Sequence, residues 1–122
     1  MSTNTIITIV LVVLAVWLLA QRFIPAKGIK NITTSTLKNE LGKRDKQYID
    51  VRTPGEFKGN HIHGFKNIPL NQLVQKSSSL KKDQEVIVIC QSGMRSKQAA
   101  KLLKKQGFQN ITNVVGGMSA WR

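Results

Sequence analysis

Only one cysteine, Cys90, occurs in the 122-residue chain. That excludes an internal disulfide and any redox cycle needing a resolving cysteine in the same chain, and it fits a reducing compartment. Acidic residues are also scarce: six Asp plus Glu stand against nineteen Lys plus Arg, for a net charge of +13. With so few carboxylates and only two histidines, little is available from which to build a metal centre, and none is expected. The excess of positive charge calls for an anionic partner, whether nucleic acid, the anionic face of a membrane or a small anionic substrate. No aromatic-rich basic groove accompanies the lysines, so specific nucleic-acid recognition is not expected. No internal repeat is visible.

Charge is missing altogether between Ile6 and Ala20, where the chain reads IITIVLVVLAVWLLA, broken only by Thr8. At about 1.5 Å per residue this run is short for a hydrocarbon layer of ~30 Å, so Thr3–Thr5 and Phe23–Ile24 must extend it. No Lys or Arg precedes it and no clear small-residue cleavage pattern follows, which favours a retained anchor over a cleaved signal peptide. Arg22, Lys27 and Lys30 come just after, with Trp17 and Phe23 placed for the interface. The positive-inside rule then predicts a single pass through the cell membrane with the rest of the chain facing the cytoplasm. A buried core helix and an uncleaved export signal are the competing readings. The expected organisation is an anchor over 1–24 ended by Pro25, a linker over 25–28 and one domain over 29–122.

Within that domain short apolar runs alternate with helical segments, the pattern of an α/β domain with a parallel five-stranded sheet flanked by helices. Strands are expected at 30–32, 47–51, 66–68, 85–90 and 110–115. Helices are expected at 34–41, ended by Gly42, at 54–58, at 71–75 and at 96–106, ended by Gly107, with a last helical turn near the C-terminus. In TPGE, Thr53 is the N-cap, Pro54 the first helical residue and Glu56 the partner that completes a capping box. EVIVIC, residues 85–90, is apolar at consecutive positions, as expected of a central strand covered on both faces.

Cys90 ends that strand, and CQSGMRS follows it into a helix. The carboxyl end of a central strand is where open α/β sheets place ligands. Gly93 lets the backbone curl, so the amides of Gln91, Ser92, Gly93, Met94, Arg95 and Ser96 can converge on one spot beside a helix N-terminus, forming an anion cradle. Positive potential there favours the thiolate of Cys90. A plainer reading makes Cys90 a small hydrophobe closing a buried strand. The Cys-to-Arg spacing is C-x4-R, one residue shorter than the C-x5-R of tyrosine-phosphatase-like loops, which argues against a phosphatase or arsenate reductase.

CQSGMRS resembles the active-site loop of the rhodanese family of sulfurtransferases. Four further stretches agree in order: YIDVRTPGEF, HIHGFKNIPL, the GF of Gly107 and Phe108, and VVGGMSAW. The resemblance runs from about Ile29 to the C-terminus. It implies a rhodanese-like sheet and a thiosulfate-sulfurtransferase type of reaction, with Cys90 carrying a persulfide between a small sulfur-donor anion and a thiol, cyanide or protein acceptor, without a cofactor. Arg95 would help bind the donor's negative group, Asp50 and Arg52 would brace the site, and His61 would be structural near its mouth. The other reading of this resemblance is a non-catalytic interaction module at the membrane. The chain departs from the family pattern at Asn60, which stands in place of a glycine and is expected to tolerate a left-handed backbone. It departs again at Phe65, which replaces a small residue and is expected to reshape packing near the site, and in a closing helix curtailed after Trp121.

Overall fold

The computed structural model describes residues 2–23 and 28–122. Helix α1 (Thr3–Phe23) contains the whole apolar run. Its 21 residues span about 32 Å at ~1.5 Å each, the thickness of a hydrocarbon layer. Its apolar stretch from Thr3 to Ala20 is exposed throughout, which removes the core-helix reading. The expected stop at Pro25 and all of the linker except Gly28 lie outside the described residues.

The domain contains β1 (Ile29–Ile32), α2 (Thr34–Glu40), β2 (Lys46–Asp50), α3 (Pro54–Gly59) and β3 (Lys66–Asn67). It continues with α4 (Leu73–Lys76), β4 (Glu85–Ile89), α5 (Met94–Lys105), β5 (Ile111–Val114) and α6 (Gly117–Ala120). All five strands are parallel, in the order β1-β5-β4-β2-β3. β4 is central, and every residue from Val86 to Cys90 is fully buried. The consecutive apolar run therefore has the cause it suggested: helices cover both faces. Val86, Val88 and Cys90 face Ala99, Ala100 and Leu103 of α5, whereas Ile87 and Ile89 face Leu37 of α2 and Met118 of α6. Each fully buried aliphatic side chain stabilises the fold by roughly 1.5–3 kcal/mol over leaving it exposed.

Local signals account for most element ends. The Thr53 hydroxyl accepts from the Glu56 amide at 3.2 Å while the Glu56 carboxylate accepts from the Thr53 amide at 3.1 Å, completing the capping box. Gly42 and Gly107 take positive φ where α2 and α5 end. One expected helix is broken differently: instead of a single helix over 71–75, a 3-10 turn at Leu70–Gln72 leads into α4, and a second follows at Ser77–Ser79. Pro69, at the N-cap, fixes the chain direction there and donates no hydrogen bond.

Candidate active site

β4 carries Cys90 to its carboxyl end, and the chain then turns at Gly93, whose φ of 102° only glycine adopts without strain, into the N-terminus of α5. Helix α5 starts at Met94, two residues before the expected Ser96. The Cys90 side chain is completely buried. The Gly93 N–H donates to its sulfur at 2.9 Å, and the Ser96 hydroxyl lies 3.5 Å from it. Burial pushes the thiol up, but hydrogen bonds from the Ser96 hydroxyl and from the amides of Ser96, Gly93 and Ser92 outweigh it and hold Cys90 below its ordinary value. Ser96 also donates to the Gly93 carbonyl at 3.1 Å. Its one hydroxyl proton has two acceptors, so it can serve the carbonyl beside a thiol and turn to the sulfur beside a thiolate.

The base of the loop is held from the C-terminus. The Met118 amide donates to the Cys90 carbonyl at 2.8 Å, and both the amide and the hydroxyl of Ser119 donate to the Gln91 carbonyl, at 2.9 and 2.8 Å. Gly117 is the point of closest approach: a Cβ there would stand 2.2 Å from the Cys90 carbonyl oxygen. The contacts of Ser119 and Gly117 with the loop join residues far apart in the sequence. The GG pair in VVGGMSAW was the available signal, since a paired glycine marks a close backbone approach.

Two arginines converge on the loop. Arg52 and Asp50 form a buried ion pair, with Nη2 to Oδ2 at 2.8 Å and Nε to Oδ1 at 3.0 Å. Arg52 also donates to the Asn60 carbonyl at 2.5 Å and to the Gln91 side-chain oxygen at 3.3 Å, which links β2 to the loop. Arg95 makes a two-pronged pair with Glu56, at 2.6 and 2.9 Å. The Arg95 guanidinium, helped by the Thr53 amide and hydroxyl, holds Glu56 down at about 2, and Glu56 in turn raises Arg95. Glu56 is thus both the cap of α3 and the carboxylate that orients Arg95. Only the first role is visible in adjacent residues.

Other expectations fall elsewhere. His61 stacks on Phe57 with ring centroids 3.9 Å apart, and its Nδ1 lies 2.8 Å from the Phe57 carbonyl, so its contacts are with α3. His61 and His63 lie in a loop, and among the described residues no cluster of three or more metal-ligating side chains occurs. Asn60 is extended, with φ of −169°, so no left-handed backbone is needed there. Phe65 packs edge-to-face on Tyr48, in the core cluster of Leu37, Ile89 and Met118 on the face of the sheet opposite the Cys90 side chain.

The family model for the rhodanese-like domain matches residues 33–122. The chain belongs to the rhodanese family. A rhodanese-like domain protein from Staphylococcus aureus superposes with a TM-score of 0.70 at 35% identity, covering 76% of this chain and 91% of that one. The thiosulfate sulfurtransferase GlpE of Pseudoalteromonas translucida is 30% identical over 77% of this chain and 90% of its own. The uncharacterized protein YqhL of Bacillus subtilis is 36% identical over 98% of this chain and 93% of its own, a similarity that extends past the rhodanese domain into α1. The five-stranded parallel sheet with flanking helices is the rhodanese fold.

Proposed function

We propose that this chain is a membrane-anchored sulfurtransferase that carries sulfane sulfur on Cys90. The observation that carries the reading is the convergence of the Gly93 amide and the Ser96 hydroxyl on a buried sulfur at the carboxyl end of β4. That arrangement stabilises negative charge on sulfur in both the thiolate and the persulfide.

In the first half-reaction the Cys90 thiolate attacks the outer sulfur of thiosulfate or a similar donor. A sulfur–sulfur bond forms to Cys90, the donor's own sulfur–sulfur bond breaks, and its electron pair leaves on sulfite. In the second half-reaction the thiolate of an acceptor, or cyanide, attacks the outer sulfur of the persulfide, and the electron pair returns to Cys90 as thiolate. No external oxidant or reductant enters, and the covalent intermediate divides one hard transfer into two. Glu56 occupies one side of the Arg95 guanidinium and leaves its remaining N–H groups to meet the donor's anionic end. Asp50, Arg52 and Gln91 fix the loop, and His61 fixes the α3 side.

Helix α1 serves as the anchor, a reading supported by its length, by its exposure and by Arg22, Lys27 and Lys30 after the apolar run, and the positive-inside rule favours a domain facing the cytoplasm. The test of the chemistry is the intact mass of the full chain after thiosulfate treatment and gel filtration. A gain of one sulfur that cyanide removes and that Cys90→Ser never acquires is expected. A folded chain that takes up no sulfur from thiosulfate or polysulfide would sink the proposal. For the anchor, the expected result is a chain that resists alkaline carbonate extraction from membranes and is digested by protease only when the cytoplasmic face is open.

A further inference from the structure

A small anion makes few demands on the surface around Cys90, yet that surface has features a small anion does not use. In the domain, the large hydrophobic side chains that stand exposed among the described residues are Val74, Met94 and Val115. Met94 is 74% exposed and sits inside the loop, next to Arg95. Val115 is half-exposed and lines a cleft of about 250 Å³ together with Ser92 and Gly93 of the loop. Lys97 lines the same cleft, and from it Lys101 and Lys105 continue along α5 at four-residue spacing, all three exposed. Helix α5 contains no acidic residue, and none of these lysines forms an ion pair among the described residues. Asn113, buried against this cleft on β5, has an amide oxygen with no hydrogen-bond partner among the described residues.

Two exposed apolar side chains, a row of cations and an unsatisfied acceptor beside the loop suit a protein surface and exceed what a two-sulfur anion needs. Resting on the persulfide reading above, we infer that the face formed by Met94, Val115 and the α5 lysines docks an acidic protein whose cysteine takes the sulfur from Cys90. The lysine stripe steers the partner's negative surface along α5, Met94 and Val115 take its apolar contact, and its thiolate arrives at the loop. Charge complementarity decides the partner's sign: α5 presents Lys97, Lys101 and Lys105, without an ion pair among the described residues, and no acidic residue.

The full chain in detergent is first loaded with thiosulfate and gel-filtered, and its persulfide is measured by mass. It is then mixed with either of two synthetic ten-residue peptides, each holding one cysteine flanked by aspartates or by lysines. Sulfur on the peptide is followed in time. The acidic peptide is expected to gain sulfur at least about 10-fold faster at low salt, with the gap closing near 1 M salt, where the Debye length falls to ~3 Å. Lys97→Glu with Lys101→Glu is expected to erase that advantage, and the milder Lys97→Gln with Lys101→Gln to reduce it. Lys81→Glu with Lys82→Glu, ahead of β4 at the opposite end of the sheet, is expected to leave it intact. Equal effects from the two glutamate pairs would show only the pull of net charge and would overturn the docking face, as would equal rates for the two peptides. A chain that never loads sulfur would instead overturn the persulfide reading, and the docking proposal with it. Loading that stays normal while peptide selectivity is absent would overturn the docking proposal alone.

Discussion

The two arginines that reach the Cys90 loop are held in opposite ways. Arg52 and Asp50 are 3% and 0% exposed, whereas Arg95 and Glu56 are each about one-third exposed. A buried pair gains little net stability by forming, but losing one partner strands a charge in the core. A half-exposed pair is screened by water and contributes about 0–1 kcal/mol. The first pair therefore supports the fold that presents the loop, and the second positions a cation that the fold does not need.

The sharpest way to break this comparison is at the buried pair. Arg52→Ala is expected to destabilise the domain by about 3–5 kcal/mol, a large share of the ~5–15 kcal/mol that typical domains possess, with a matching fall in thermal midpoint by circular dichroism. Arg52→Met with Asp50→Leu should recover much of that loss, because no charge is left buried. The converse holds at the exposed pair: Arg95→Ala should barely move the melting curve while slowing sulfite release from thiosulfate on the order of 100-fold. If the two substitutions had the same effect on stability, the distinction drawn from burial would be wrong.

A smaller effect is expected inside the loop. Ser96→Ala removes a hydroxyl that holds the Cys90 thiol below its ordinary value, so the pH at which iodoacetamide alkylates the protein should move upward. With Cys90 the lone cysteine, the profile reports it alone. A profile that does not move would assign the stabilisation to the backbone amides. The smallest effect concerns acid. Glu56 titrates in the folded chain at about 2, below its value in the unfolded chain, so its contribution is complete above an ordinary carboxylate value of ~4.3 and fades as pH falls through about 2. Wild type and Glu56→Gln should accordingly differ modestly in stability at neutral pH, and their melting curves should converge as the pH approaches 2.

What was legible in the sequence was local. The capping box of Thr53 and Glu56, the central strand before Cys90 and the positive-φ turn at Gly93 are written in adjacent residues, and each appears in the fold. Long-range pairings were not legible in that way. Arg95 meets Glu56 across 39 positions, and Ser119 meets Gln91 across 28, distances at which neither periodicity nor capping chemistry carries information. Asn60 shows the same limit from the other side. Its residue type suggested a left-handed backbone, but the Arg52 guanidinium takes its carbonyl while the chain stays extended.

The parallel sheet has one more consequence. Ile29 is level with Ile111, Ile111 with Val86 and Glu85 with Lys46, so β1, β5, β4 and β2 start together at the end where the chain emerges from the N-terminal segment. They finish together at the loop, about 17 Å further on for five residues at ~3.3 Å each. Cys90 and the strand start that follows Gly28 therefore stand at opposite ends of the sheet. A molecule that reaches the sulfur thus approaches the end of the sheet remote from the point where the N-terminal segment joins it.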